Sequence, residues 1–281
     1  MINALGDRMK AFYEDRTRIC LPRKTYTIIR IDGKAFHTYT RGLERPFDKG
    51  LIEDMNSTAA YLCNNIQGAK FAYVQSDEIS ILITDFDDIM TDMWFDGNLQ
   101  KMASVSASLA TSEFNKLRLN RILKTVDLST DELIFDKIPN FKSAQFDARV
   151  FQIPQPVEVE NYFIWRQQDA TKNSISCVAQ SLYSHKELEG KNGDQKQEMI
   201  FQKGVNWNDY SSREKRGGFI ERVEYEVSEV NPHAGISKMG TGPGVSLKFQ
   251  TSTIRKKWEA VECPIFTQER EFLKKRIPTF Q

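Results

Sequence analysis

Apolar and polar positions recur with two periods along the first half of the chain. Residues 25–31 are apolar and β-branched and run into Asp32-Gly33, which predicts a buried strand ending in a turn. Asp48 stands at an N-cap position, and Leu51, Ile52, Met55, Ala59, Leu62, Cys63 and Ile66 follow it at helical spacing. Residues 71–74 read as a second strand, Gln75-Ser76-Asp77-Glu78 as a tight connection and residues 79–84 as a third strand. The acidic stretch 85–96 reads as a loop. Leu99, Met102, Val105, Leu109 and Leu117 then mark a second helix, whose Ala103, Ser104, Ser106, Ala107, Ser108 and Ala110 let it lie close against a sheet. Residues 146–153 supply a fourth strand. The order is β-α-β-β-α-β, the split arrangement of ferredoxin-like folds, in the α+β class. A long helical pattern runs from Val157 to about His185, with Trp165 expected to anchor the core. Beyond Gly217-Gly218, including the loop Gly240-Thr241-Gly242-Pro243-Gly244, the pattern is mixed and predicts no clear element. The division expected is 1–155 for the sheet-forming unit and 156–281 for a helical and mixed region packing on it.

Composition narrows the function classes. The chain has 281 residues, 40% hydrophobic and 27% charged, the profile of a folded globular protein. No apolar run approaches the roughly 20 residues that cross a bilayer, and the amino terminus has no signal-peptide core, so a cytoplasmic location is expected. Cys20, Cys63, Cys177 and Cys263 form no C-x-x-C pair, which argues against a disulfide framework or a thiolate zinc site. His37, His185 and His233 are too few and too scattered for a histidine-rich metal centre. Any metal here takes oxygen ligands. Net charge is +1, distributed as +3 over residues 1–60, −6 over 61–212 and +4 over 213–281. The basic groups Arg213, Lys215, Arg216 and Arg255, Lys256, Lys257 suit phosphates, or are ordinary solvated faces.

The carboxylates carry more. In a split β-α-β unit, strands one and two run parallel with strand three returning between them. Asp32, at the end of strand one, and Asp77, in the turn after strand two, then share one sheet edge. Two carboxylates about 4 Å apart repel by roughly 4 kcal/mol at an effective dielectric of about 20, so a proton or a cation has to relieve them. Oxygen ligands beside backbone carbonyls suit Mg²⁺, and a pair of such ions serves in-line displacement at phosphorus. Structural readings stand beside this one: Asp-Gly and Ser-Asp-Glu are common turn sequences, and a cap fully explains Asp48. Arg30 shares a pleated face with Asp32 and serves either a phosphate or Asp32 itself. Lys34 and His37 face either a triphosphate or the fold, and Arg45 is ambiguous in the same way.

Several of these segments resemble one family. Arg30-Ile-Asp-Gly-Lys-Ala-Phe-His37, Arg45-Pro-Phe-Asp48, Tyr73-Val-Gln-Ser-Asp-Glu78 and Phe146-Asp-Ala-Arg149 are similar, in order and spacing, to the tRNA-histidine guanylyltransferase family. Trp165-Arg-Gln-Gln-Asp-Ala170, Asn206-Trp-Asn-Asp-Tyr210 and Lys215-Arg216 extend the likeness over roughly residues 5 to 220. The ending around Pro264-Ile-Phe-Thr-Gln268 looks like the bacterial and archaeal branch.

The resemblance implies a polymerase-like palm over residues 1–155 that works in reverse, adding nucleotides 3′ to 5′ onto the 5′ end of tRNA. A 5′-monophosphate would first be activated by ATP or GTP. It also implies that Asp32 and Asp77 bind two Mg²⁺, assisted by the Gly33 carbonyl, with Glu78 alongside as a catalytic carboxylate. Backbone amides of Lys34, Ala35, Phe36 and His37, with Ser76, would hold a nucleoside triphosphate. Arg30 and Lys101 join that nucleotide site, and Arg45 and Asp48 stand where the family contacts a further triphosphate. Arg149, Arg166, Gln167, Asp169, Lys172, Asn173, Lys215 and Arg216 are the corresponding tRNA contacts, and the implied assembly is a homotetramer. One departure bears on specificity. The eukaryotic branch carries His-Ile-Asn-Asn-Leu-Tyr-Asn where this chain reads Thr171-Lys-Asn-Ser-Ile-Ser-Cys177, keeping only Asn173. That places the chain with the guanylyltransferase-like proteins that fill in truncated tRNA 5′ ends against a template base.

Two other readings compete. A nucleotide cyclase or cyclic-dinucleotide synthase uses a similar sheet and paired carboxylates, though the Trp165-Arg166-Gln167 helix and the basic tail have no evident role there. A tRNA-binding protein without catalysis is the other, but a converging acidic pair repels phosphate unless a metal intervenes.

Overall fold

The computed structural model describes residues 4–125, 142–230 and 250–280. The loop Gly240-Thr241-Gly242-Pro243-Gly244 and His233 lie outside the described residues. In chain order the elements are α1 (Ala4–Met9), β1 (Tyr26–Gly33), α2 (Phe36–Tyr39), α3 (Lys49–Asn65), β2 (Ala69–Gln75), β3 (Glu78–Ile83), α4 (Leu99–Thr125) and β4 (Phe146–Ile153). Then come α5 (Pro156–Leu182), α6 (His185–Leu188), α7 (Gly193–Gln202), α8 (Ser212–Arg216), β5 (Gly218–Val230), β6 (Gln250–Val261) and α9 (Arg270–Lys274).

The strands form one six-stranded sheet in the order β4-β1-β3-β2-β5-β6. β3 pairs antiparallel with both β1 and β2, so β1 and β2 run parallel with β3 between them, as the sequence predicts. Every residue of β3 is buried, which is why its side chains read as a nearly continuous apolar run. The pleat divides the sheet into two packed faces. Ile29, Ile31, Val74, Ile79, Ile81 and Ile83 pack with Met55, Ala59 and Leu62 of α3 and Met102, Ala110 and Phe114 of α4. Tyr26, Ile28, Phe71, Tyr73 and Leu82 pack with Val159, Tyr162 and Phe163 of α5 and with Phe266 and Leu273 of the C-terminal segment.

On α4 the small residues expected to lie against the sheet include Ser106 and Ala110, both fully buried. The same helix carries Arg118 and Arg121, which hold the buried Asp54 of α3 at 3.1 and 2.8 Å and fasten the two helices together. Asp48 caps α3 by accepting from the Leu51 amide at 2.7 Å. A third apolar cluster joins Ile175 and Val178 of α5 to Ile200 and Trp207, with Phe47 packed against it, so the 45–48 segment docks on α5. No helix among the described residues is long and apolar enough to cross a membrane.

Past Gly217-Gly218, where the sequence pattern predicts no clear element, the structure has two strands. β5 pairs with β2 through Ala72↔Ile220 and Val74↔Gly218, and β6 pairs with β5 along its length. Trp165 differs from expectation. It is 50% exposed, on the outward side of α5 with Asn161, Gln168 and Lys172, while Tyr162, Phe163 and Arg166 take the inward positions.

Candidate active site

β1 does not stop before Asp32. The strand continues through Asp32 and Gly33 because β4 pairs with both, Asp32↔Asp147 and Gly33↔Phe146. On the other side Asp32 lies opposite Glu78 of β3. The Gly33 amide donates to the Asp77 carbonyl at 3.1 Å. That bond makes Asp32 and Glu78 a pair not itself hydrogen-bonded, the kind whose side chains approach most closely. In extended backbone a residue's N–H and C=O point the same way, so the Gly33 carbonyl also faces the Ser76-Asp77 turn. Gly33 has a packing reason to be glycine, since a Cβ there would run into the Phe36 ring.

Asp147, Asp32 and Glu78 therefore form a row across three neighbouring strands, with Asp77 in the turn beyond. Asp147 was missed in the sequence, where an acid in an edge strand looks like a solvent-facing residue. The row behind it is Arg149, Arg30 and Ser80. Arg149 Nη1 lies 3.9 Å from Asp32 Oδ2 and its Nη2 3.9 Å from Asp147 Oδ1, a loose bridge between the two acids. Arg30 makes no direct ion pair with Asp32 among the described residues, and its buried Nε has no hydrogen-bond partner.

Electrostatics separate the acids. Burial pushes the Asp77 carboxyl above the usual carboxylate range; a Ser76 hydrogen bond opposes this, and the Asp32 and Glu78 charges add to it. Glu78 is also raised, first by burial, although Arg166 pulls the other way. Arg166 Nε and Nη2 donate to Glu78 Oε1 and Oε2, both at 2.8 Å, and Nη2 reaches Asp169 Oδ2 at 3.0 Å. Glu78 is thus committed to a buried ion pair, whereas Asp77 has no cation against it among the described residues.

This donor set fits a hard divalent cation. Asp32 and Asp77 contribute carboxylate oxygens whose mutual repulsion a cation would relieve, and the Gly33 carbonyl faces the same turn. Among the described residues no group of three or more acidic, histidine or cysteine side chains is gathered closely enough to hold a metal alone. A cation held there would draw its remaining coordination from water and phosphate oxygens, as Mg²⁺ does.

The residues expected at the nucleotide divide. Lys34, Ala35 and His37 are exposed beside Gly33, while the Phe36 side chain is buried against Phe114 and Phe146. The Lys34 amide already donates to the Gln145 carbonyl at 2.8 Å, so it is committed within the fold. Ala35 adopts φ 54° and starts α2, whose first carbonyl-bonded amide is that of Thr38. The amides of Phe36 and His37 come earlier in that turn and are its open donors. Ser76, at φ 47°, presents an exposed side chain in the β2–β3 turn. Arg45 is exposed in the segment docked on α5, and Asp48 is taken by its cap. Lys101 sits in the first turn of α4, about 15 Å along the axis from Thr111. Thr111 is the residue whose hydroxyl meets the Phe146 amide at 3.2 Å next to Gly33. The structure does not bring Lys101 to the carboxylates.

In the second half, Gln167 is 4% exposed and fully used: it donates to the Pro264 carbonyl and accepts from the Phe266 amide, both at 2.8 Å. It ties the C-terminal segment to α5 and has no surface to offer an RNA. Arg166 is likewise buried. Asp169 and Asn173 lie one turn apart on α5 and are joined at 3.3 Å, with exposed Lys172 beside them. Lys215 Nζ donates to the Asn208 carbonyl at 2.6 Å, and Lys215 and Arg216 lie 5.5 and 5.7 Å from the Trp207 ring centre. Arg149 remains exposed on the edge strand β4. Lys256 and Lys257 are paired with Glu224 and Glu259 at 2.8 and 3.0 Å.

The chain is similar to known proteins. The family model of tRNAHis guanylyltransferase (Thg1) matches residues 6–154. The structure of a bacterial tRNA(His) guanylyltransferase (Thg1)-like protein in complex with ATP is similar at a TM-score of 0.76 and 41% identity, covering 98% of this chain and 99% of that one. A structure of such a bacterial protein in complex with GTP gives 0.72 and 39%, over 99% and 100% of the two chains. The tRNA(His) guanylyltransferase of Debaryomyces hansenii is 27% identical over 228 residues, 76% of this chain and 79% of the yeast protein. On this combined footing the chain belongs to the tRNAHis guanylyltransferase family, whose members are nucleotidyltransferases.

Proposed function

We propose that this protein adds nucleotides in the 3′-to-5′ direction to the 5′ end of tRNA, against a template base, on a palm-like sheet edge built around Asp32 and Asp77. The observation that carries the reading is the Gly33 amide to Asp77 carbonyl bond of 3.1 Å. It draws the turn of one hairpin to the end of a neighbouring strand and so gathers two carboxylates and a carbonyl at one edge. Asp32, Asp77 and the Gly33 carbonyl would hold Mg²⁺. The ions would lower the pKa of an attacking hydroxyl and stabilise charge on the leaving oxygen.

The chain's own groups account for the remaining requirements. Open amides of Phe36 and His37, with Ser76, support a triphosphate beside the carboxylates. Arg149 bridges Asp32 and Asp147 loosely enough to turn toward a phosphate. Arg166 fixes Glu78, which keeps the β3 end of the acidic row in place. ATP and GTP as substrates are supported by the relatives bound to those nucleotides. A tRNA 5′-monophosphate would be activated by one of them, and the 3′-hydroxyl of the incoming nucleotide would then attack the activated phosphorus, expelling the activating group. Lys215, Arg216, Lys172 and Arg149 offer cationic positions for the acceptor-end phosphates, and a homotetramer is the assembly the family resemblance suggests.

The test is a panel of full-length and 5′-truncated tRNAs, each offered the four triphosphates separately. Addition of the nucleotide complementary to the opposing base on truncated tRNAs is expected. Guanylate addition irrespective of the opposing base would replace templated repair with fixed guanylate transfer, and no incorporation on any tRNA would overturn the reading.

A further inference from the structure

Trp165 is placed at odds with its chemistry. Single exposed apolar side chains are ordinary on protein surfaces, but this indole, 50% exposed, is also held in one orientation. The Arg166 guanidinium lies 4.4 Å from the centre of its ring, and the Tyr162 ring meets it edge-on at 5.9 Å. Arg166 is itself fixed by Glu78 and Asp169, and Tyr162 by the 2.8 Å bond between its hydroxyl and Ser80. The ring therefore leans from the outward side of α5 toward the acidic row, one guanidinium removed from the Glu78 carboxylate that faces Asp32. A rigid aromatic body with an open side costs little conformational entropy when something stacks on it.

The surroundings select what stacks. Arg149, with a 54% exposed side chain, stands on the same sheet face, and Lys172 is exposed two turns further along α5. A π-faced ligand carrying phosphates matches an indole flanked by cations, and nucleobases stack on aromatic side chains whatever their sequence. We propose that Trp165 is the stacking platform for a nucleobase brought to the carboxylate edge. This rests on the nucleotidyl-transfer reading for the source of the base. A free nucleoside triphosphate and an unpaired base at the end of an RNA strand share the required chemistry.

The experiment compares wild type, Trp165→Phe and Trp165→Ala in binding GTP, ATP and a 5′-truncated tRNA, with Mg²⁺ present. Tryptophan emission and filter binding are read together, with nucleotide addition by wild type measured in parallel. The expected result is ligand-dependent quenching in wild type that is largely lost in Trp165→Phe, although Trp94, Trp207 and Trp258 remain. Affinity for one ligand class falls about five-fold or more in Trp165→Ala and is mostly kept by Phe. Loss confined to the triphosphates assigns the base to the free nucleotide, and loss confined to tRNA assigns it to the strand end. Unchanged affinity for all ligands in Trp165→Ala overturns the proposal while leaving wild-type nucleotide addition as it was. Wild-type emission that responds to protein dilution and not to ligand also overturns it, in favour of a contact between copies. Trp165-dependent quenching without any nucleotide addition keeps the nucleobase site and removes the reaction assigned to it.

Discussion

Arg166 clasps Glu78 through two parallel bonds, Nε to Oε1 and Nη2 to Oε2, each 2.8 Å long, between side chains that are both largely buried. The pair lies one strand from Asp32, so it neutralises one carboxylate of the acidic row and leaves Asp32 and Asp77 as the two proposed to hold a cation. Glu78 reads as a support for the site, and Arg166 as the residue that makes a buried acid tolerable there.

Removing one partner should therefore cost far more than removing both. Arg166→Ala strands a buried carboxylate and is expected to destabilise the fold by about 3–5 kcal/mol, whereas Arg166→Met with Glu78→Leu recovers most of that loss. Denaturant unfolding of the two variants checks this. A cost for Arg166→Ala below about 1 kcal/mol would show that the pair is solvated.

Asp77 gives a stability signature of opposite sign. Its folded pKa lies above its unfolded value, so as pH rises the unfolded chain releases this proton first, and stability is lost until the folded carboxyl has ionised too. The contribution is fully present below the ordinary carboxylate range and gone above the raised folded value. Without divalent cations, Asp77→Asn should melt above wild type at neutral pH, with the gap closing in acid. An Asn variant that melts lower at pH 7 contradicts the assignment.

Gln167 separates structure from RNA contact. Gln167→Ala leaves the Phe266 amide and the Pro264 carbonyl without their partner and should cost roughly 1–3 kcal/mol. The affinity of the folded protein for tRNA, and its salt dependence, should stay unchanged. A reduced salt slope would return Gln167 to the RNA surface.

Lys215 and Arg216 are expected to act through phosphate. Lys215→Ala with Arg216→Ala should weaken all tRNAs alike and lower the slope of log affinity against log salt by up to about one for each phosphate no longer neutralised. An unchanged slope would leave the two residues as packing around Trp207.

The strand order around the site was legible because Ile28, Ile29, Ile31 and the Ile79–Ile83 run form strands buried on both faces, with a capped amphipathic helix between. The end of β1 was not: Asp32-Gly33 has the local form of a turn, and pairing with Asp77-Glu78 on one side and with Asp147 and Phe146 on the other, all distant in sequence, keeps it extended. Local pattern also missed the fate of Glu78 and Gln167, whose partners Arg166 and Phe266 arrive from far along the chain. β5 does carry a two-residue alternation, with Val223, Tyr225 and Val227 between Arg222, Glu224 and Glu226, but β6 sets Lys257, Arg255 and Thr253 opposite those three and none of them is buried, so the alternation does not extend to the partner strand and marks no core face. Trp165 misled because composition alone places an indole inside.

Asp32 and Asp77 are together proposed to carry nucleotide transfer to a tRNA 5′ end. The direct measurement is incorporation of labelled GTP into a 5′-truncated tRNA whose next template base is cytosine, by wild type, Asp32→Asn and Asp77→Asn, each verified as folded. The expected result is Mg²⁺-dependent incorporation by wild type and a loss of about a thousand-fold or more in both variants, the scale reached when a group stabilising the transition state is removed. Incorporation by either variant within a few-fold of wild type would contradict it.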